Sequence, residues 1–202
     1  MRFDPRDILS MPWAYDLHAR IVGSSDLKRR FVDEILRPPP GGSILDIGCG
    51  TADLLPYMPQ VDYVGFDASA AYINAARARF GDRAQFRHQH ITPELANELP
   101  KADLVMAIGV LHHLDDATAA DLFRIARAAL APGGRVVTCD GTYAEGQNPL
   151  ARFLISLDRG EHVRDAAGYE AIARRVFGDV RMTIRHDLSR IPYTHCIIEA
   201  SS

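Results

Sequence analysis

Residues 44 to 53 read Ile44-Leu45-Asp46-Ile47-Gly48-Cys49-Gly50-Thr51-Ala52-Asp53. An apolar run long enough for one strand passes into a turn with two glycines, and a helical pattern is expected to start near Thr51. Glycine at 48 and 50 removes Cβ where a ligand must approach the backbone closely. In open α/β sheets ligands sit outside the carboxyl ends of the strands, and this is the first such end. Asp46 is placed to fix the loop or to receive a cationic ligand amine. On its own the pattern also suits an ordinary strand-to-helix turn.

Working outward, further strand-like runs follow at 63–66, 84–86, 104–108 and 135–139. Helix candidates begin near Ala70, Pro93 and Asp116. In the stretch 116–130, Leu122, Ile125, Ala126 and Ala129 recur at helical steps, and Pro132-Gly133-Gly134 is expected to stop the helix. Alternating strands and helices with apolar strands predict a parallel sheet covered on both faces. The runs at 180–186 and 194–199 are joined too closely for a crossover helix, which predicts an antiparallel hairpin. The expected fold is α/β: a doubly wound, mostly parallel, seven-stranded sheet with an antiparallel hairpin and one reversed strand at its C-terminal edge. The turn Pro38-Pro39-Pro40-Gly41-Gly42 separates it from a charged helical region at 7–36.

A second acid, Asp67, ends the second strand, 21 residues after Asp46. A carboxylate there can accept hydrogen bonds from both ribose hydroxyls of a nucleoside. A dinucleotide site would need a third glycine at position 53, and Asp53 at a helix N-terminus would repel a pyrophosphate.

The 202 residues fit one domain, 47% hydrophobic and 24% charged. The net charge of −3 advertises neither a nucleic-acid nor a membrane partner. Cys49, Cys139 and Cys196 form no paired motif and read as free thiols. No apolar run approaches the ~20 residues that span a bilayer, and the first residues lack a signal-peptide core, so a cytoplasmic protein is expected. His88, His90, His112 and His113 have no further ligand at sensible spacing, so no metal is expected.

The stretch 46–51 closely resembles the first motif of class I S-adenosylmethionine-dependent methyltransferases. Asp67 matches the acid of their second motif. Residues 102–114 resemble their fourth strand and the turn after it, and Leu130-Ala131-Pro132-Gly133-Gly134 resembles the turn before their fifth strand. The resemblance covers residues 43 to 140. It implies a Rossmann-like fold and S-adenosylmethionine as cofactor, with Gly48 and Gly50 beneath its methionine and ribose parts and Asp46 nearby. It further implies Asp67 on the ribose hydroxyls, Ala68 against adenine, and Ile108 at the methionine moiety. Two positions depart from the family: Ala52 stands for the loop's third glycine. His88-Gln89-His90 replaces the acid that contacts the adenine amino group, leaving Gln89 or His90 for that contact.

Methyl transfer from a sulfonium needs alignment and a dry site more than a triad. His112 and His113, in the turn after the fourth strand, are the candidate general bases, or they cap and pack that turn. The region 141–165 carries a short amphipathic helix between polar loops, and Tyr143, Arg159, His162 and Arg164 are its candidate acceptor contacts. A solvated face with internal ion pairs is the alternative. This stretch and Ile191-Pro192-Tyr193-Thr194-His195 resemble a bacterial subgroup of small methyltransferases, which implies a saccharide or secondary-metabolite pathway. The region 1–37 is expected to form a helical lid, with Tyr15 or Arg20 meeting the methionine carboxylate, or else a plain packing helix. The expected activity is methyl transfer to an oxygen or nitrogen of a small polar metabolite. An RNA or protein methyltransferase and a non-catalytic S-adenosylmethionine-binding protein are the alternatives.

Overall fold

The computed structural model describes residues 24–96, 98–157 and 160–201. Most of the expected lid, with Tyr15 and Arg20, lies outside these residues, as does Arg159. Seven strands form one sheet: β1 Ser43–Ile47, β2 Asp62–Asp67, β3 Gln85–His88, β4 Ala102–Ile108, β5 Leu130–Gly141, β6 Asp179–Arg185 and β7 His195–Ser201, in the order β3-β2-β1-β4-β5-β7-β6. The first five are parallel and β7 runs against both of its neighbours. Neighbouring residues along each central strand feed opposite cores. Leu45, Val105, Val136 and Ile198 enter one apolar cluster, and Ile44, Leu104, Val137 and Ile197 enter the other. Burial on both faces is what the unbroken apolar strands required.

Helices cover both faces. α1 Ser25–Phe31 runs on into a π-turn, Val32–Leu36, and packs with α2 Ala70–Phe80 on one side. α3 Asp116–Ala129 and α5 Ala166–Arg174 cover the other, with α4 Pro149–Ser156 in the connection after β5. Side-chain caps start them where the sequence places small polar residues: Ser24 accepts from the amide of Leu27, and Asp115 from that of Thr118.

Four expectations are corrected. No α-helix starts near Thr51. Ala52 takes φ +57°, and Pro56 and Pro59 cannot donate to a continuing helix, so only a 3₁₀ turn forms at Leu55–Tyr57. Near Pro93 there is likewise one 3₁₀ turn, Pro93–Leu95. α3 ends at Ala129, ahead of Pro132. The Pro-Gly-Gly segment forms a bulge, because the register runs from Ala102↔Leu130 to Leu104↔Arg135. The C-terminal hairpin exists, yet its reversed strand β7 lies inside the sheet and β6 takes the edge. The apolar run Cys196-Ile197-Ile198 is buried, whereas β6 carries Arg181, Thr183 and Arg185 and tolerates a water-facing edge.

Candidate active site

The chain order reverses between β1 and β4, which opens a crevice where their carboxyl ends diverge. The turn after β1 folds back on β2: the amides of Gly48 and Cys49 both donate to the Phe66 carbonyl, at 2.8 and 2.9 Å. Gly48 and Gly50 take positive φ of 74° and 54°, which L side chains rarely adopt. At Gly48 space is decisive as well, since a Cβ would lie 2.6 Å from Val110 Cγ2. Asp67 locks the loop. One carboxylate oxygen accepts from the Gly50 amide at 2.9 Å and the other from the Ser69 amide at 2.7 Å.

Asp46 is buried in β1 and accepts a hydrogen bond from the Tyr63 hydroxyl. Burial pushes its carboxyl up to about 7. The Tyr63 bond opposes the rise and the Asp67 charge adds to it. Asp53 behaves oppositely. Arg79 at 2.8 Å and Lys28 at 3.2 Å hold its carboxyl below the usual range despite the desolvation that opposes them.

Opposite this loop, β4 is followed by Gly109, whose φ is +72°, and a 3₁₀ turn at Leu111–His113. The buried His112 ring places Nδ1 2.8 Å from Asp140 Oδ1, and the His112 amide lies 3.2 Å from the same oxygen. A carboxylate can only accept, so Nδ1 carries the proton and Nε2 is the basic nitrogen. Asp140 sits near the end of β5, buried, and its second oxygen, Oδ2, has no hydrogen-bond partner.

These ends enclose a cleft of about 300 Å³. The structure brings four of the expected residues, Asp46, Gly48, Ile108 and His112, to its lining. Gly50, in the glycine loop, and Asp67, which accepts from its amide, do not line the cleft themselves. Ala68, Gln89 and His90 are exposed beyond the β2 and β3 ends and do not line the cleft. His113 is exposed, and its ring lies tilted against that of His112, with ring centroids 4.0 Å apart.

The expected acceptor contacts in the connection after β5 have other partners. The Arg152 guanidinium lies 5.0 Å over the Tyr143 ring. The His162 amide donates to the His112 carbonyl at 3.0 Å. Arg164 donates to the Asp116 carboxylate from two nitrogens and to the carbonyls of Leu111, Leu114 and His162. Those five bonds use every N–H that a guanidinium owns. Arg164 therefore clamps the turn that carries His112, and it does not line the cleft.

Asp140, Lys28, Tyr193 and His195 line the cleft and were missed. Asp140 carried a legible signal, being an acid at the end of an apolar strand, as Asp67 is. Tyr193 and His195 carried none as site residues, because only the pairing of β7 with β5 sets His195 opposite Gly141. Among the described residues, no three His, Cys, Asp or Glu side chains gather to hold a metal ion. Nor is any helix among them long and apolar enough to cross a membrane.

A family model described as a methyltransferase domain matches residues 45–136. The chain is 32% identical over 142 residues to a ubiquinone/menaquinone biosynthesis C-methyltransferase of Desulfotalea psychrophila, covering 63% of this chain and 54% of that protein. It is 31% identical over 173 residues to the acetylserotonin O-methyltransferase of Mus musculus, covering 78% of this chain and 43% of that one. It thus spans about half the length of these curated relatives. A TehB-like S-adenosylmethionine-dependent methyltransferase of Corynebacterium glutamicum shares the fold, with a TM-score of 0.67 at 17% identity over 98% of this chain and 100% of that one. Sheet order, glycine loop and sequence likeness agree: the chain carries a methyltransferase domain with the class I S-adenosylmethionine-dependent methyltransferase fold.

Proposed function

We propose that this protein transfers the methyl group of S-adenosylmethionine to a hydroxyl oxygen of a small polar molecule, with His112 as general base. The observation that carries the reading is the buried His112–Asp140 pair on the wall of a cleft whose other wall is the glycine loop. A hydroxyl acceptor must lose its proton as it is methylated, and a base fixed in one tautomer can receive it. The relative in mouse is named for O-methyl transfer.

The residues present fit the cofactor. It carries a sulfonium and an ammonium, and the cleft offers the carboxyl groups of Asp46 and Asp53 beside the glycine loop. Asp46 would receive the ammonium, and the bare backbone at Gly48 and Gly50 allows close approach. Asp67 has spent one acceptor site on each oxygen, which leaves one on each for a ribose hydroxyl. Ala68 would lie against the adenine, Gln89 or His90 at its amino group, and Ile108 at the methionine part.

When bound, S-adenosylmethionine supplies an activated methyl group and departs as a neutral thioether. His112 takes the acceptor's hydroxyl proton at Nε2 as the oxygen–carbon bond forms. Asp140 holds the imidazole in place and stabilises the imidazolium. Incubation with labelled S-adenosylmethionine and a metabolite extract, read by mass spectrometry, tests for a product heavier by one methyl group. His112→Gln is expected to cut turnover about 10²-fold or more while S-adenosylhomocysteine still binds. Binding of neither adenosyl ligand by the wild-type protein would end the reading.

A further inference from the structure

The cleft wall away from the glycine loop is built by Asp140, Gly141, Tyr193 and His195. His195 stands across the β5–β7 ladder from Gly141, whose missing side chain makes room there. A Cβ on Gly141 would lie 2.6 Å from the Tyr193 hydroxyl. The Tyr193 and His195 rings adjoin at 5.0 Å. Two polar atoms of this wall, Asp140 Oδ2 and His195 Nδ1, are buried without a hydrogen-bond partner. Each such atom is costly unless something fills it.

We infer that this wall is the acceptor subsite and that it takes an uncharged ring bearing at least two hydroxyl groups. The inference rests on the methyl-transfer reading above and names its substrate class. A hydroxyl can both donate, as Asp140 Oδ2 demands, and donate or accept, as either tautomer of His195 demands. The Tyr193 and His195 rings, tilted 47° to each other, give this wall aromatic surface against which a ring can pack.

Charge points the same way. The carboxyl groups of Asp46 and Asp140 line the cleft. Among its described residues the one Lys or Arg is Lys28, which is already paired with Asp53. Burial also lowers the His195 imidazole to about 4, against the raising effect of Asp187, so it is neutral near pH 7. A carboxylate or phosphate on the acceptor would meet anions here. Arg152 and Arg164, the described arginines of the 141–165 region, do not offset this, since Arg164 is spent on the protein and Arg152 lies over Tyr143.

The test is calorimetric titration of the protein saturated with S-adenosylhomocysteine, using two neutral probes, catechol and methyl α-D-mannopyranoside. Their charged counterparts are 3,4-dihydroxybenzoate and mannose 1-phosphate. At least one neutral probe is expected to bind at least tenfold tighter than its counterpart, and which one binds tells a phenol from a sugar. His195→Leu is expected to weaken that probe tenfold or more and to leave S-adenosylhomocysteine affinity within twofold. His195→Asn, whose amide nitrogen can stand where Nδ1 stands, is expected to restore most of the loss. Equal or tighter binding of the charged counterparts, no binding by either neutral probe, or unchanged affinity in both folded variants would overturn the subsite. Any of these alongside normal S-adenosylhomocysteine binding leaves methyl transfer standing, whereas loss of that binding in the wild type removes both.

Discussion

Asp46→Asn is expected to make the protein more stable at alkaline pH and worse at binding its cofactor. Burial raises the Asp46 carboxyl from 3.8 to about 7, so the folded state prefers the protonated acid. A raised carboxyl in the folded state means stability that is present below about pH 4 and lost as pH climbs through 7. Each pH unit of the gap corresponds to ~1.4 kcal/mol. Between pH 4.5 and 8 the wild type therefore loses on the order of 3 kcal/mol at this residue. Asparagine carries no charge at either pH and retains an acceptor for the Tyr63 hydroxyl. Its amide N–H groups add an unfavourable burial cost that is the same at both pH values and cancels in the comparison. The melting temperature of the variant relative to wild type should rise by roughly 6–12 °C more at pH 8 than at pH 4.5, at 2–4 °C per kcal/mol for a chain of this size. Scanning fluorimetry on both proteins at the two pH values gives the difference directly. An equal shift at both would refute the burial argument. S-adenosylhomocysteine, which retains the α-ammonium, should bind the variant more weakly at pH 8, so stability and affinity move in opposite directions.

Asp67→Ala should weaken S-adenosylhomocysteine by about 1.5–3 kcal/mol, the range for hydrogen bonds to a charged group. Unchanged affinity by calorimetry in a folded variant would remove Asp67 from the site. Arg164→Ala should lower kcat at least tenfold and leave S-adenosylhomocysteine affinity within about twofold, because the clamp acts on the His112 turn. Arg164→Lys should recover little, since an ammonium offers three donors where five are used. A rise in KM with kcat unchanged would instead make Arg164 an acceptor contact.

The strand–glycine–strand grammar of residues 43 to 140 was legible because parallel strands buried on both faces must read as apolar runs. The backbone approach at Gly48 and Gly50 must read as glycine, and Asp46, Asp67 and His112 were legible by their places at strand ends. The missing helix after Thr51 was decided by one backbone angle at Ala52 and two prolines, against a pattern that looked helical. Whether the arginines of the 141–165 region face an acceptor or the protein could not be read from composition. A guanidinium satisfies anions and carbonyls alike, and only the tertiary structure sets the carbonyls of Leu111, Leu114 and His162 around Arg164. The same holds for His195. Its sequence neighbours are those of any strand start, and it becomes a cleft residue because β7 inserts beside β5 and places it across from a glycine. Local sequence determines which backbone conformations and which buried faces are possible. Contacts between segments far apart in the chain are determined by how those faces pack, and the cleft wall where β7 meets β5 is such a contact.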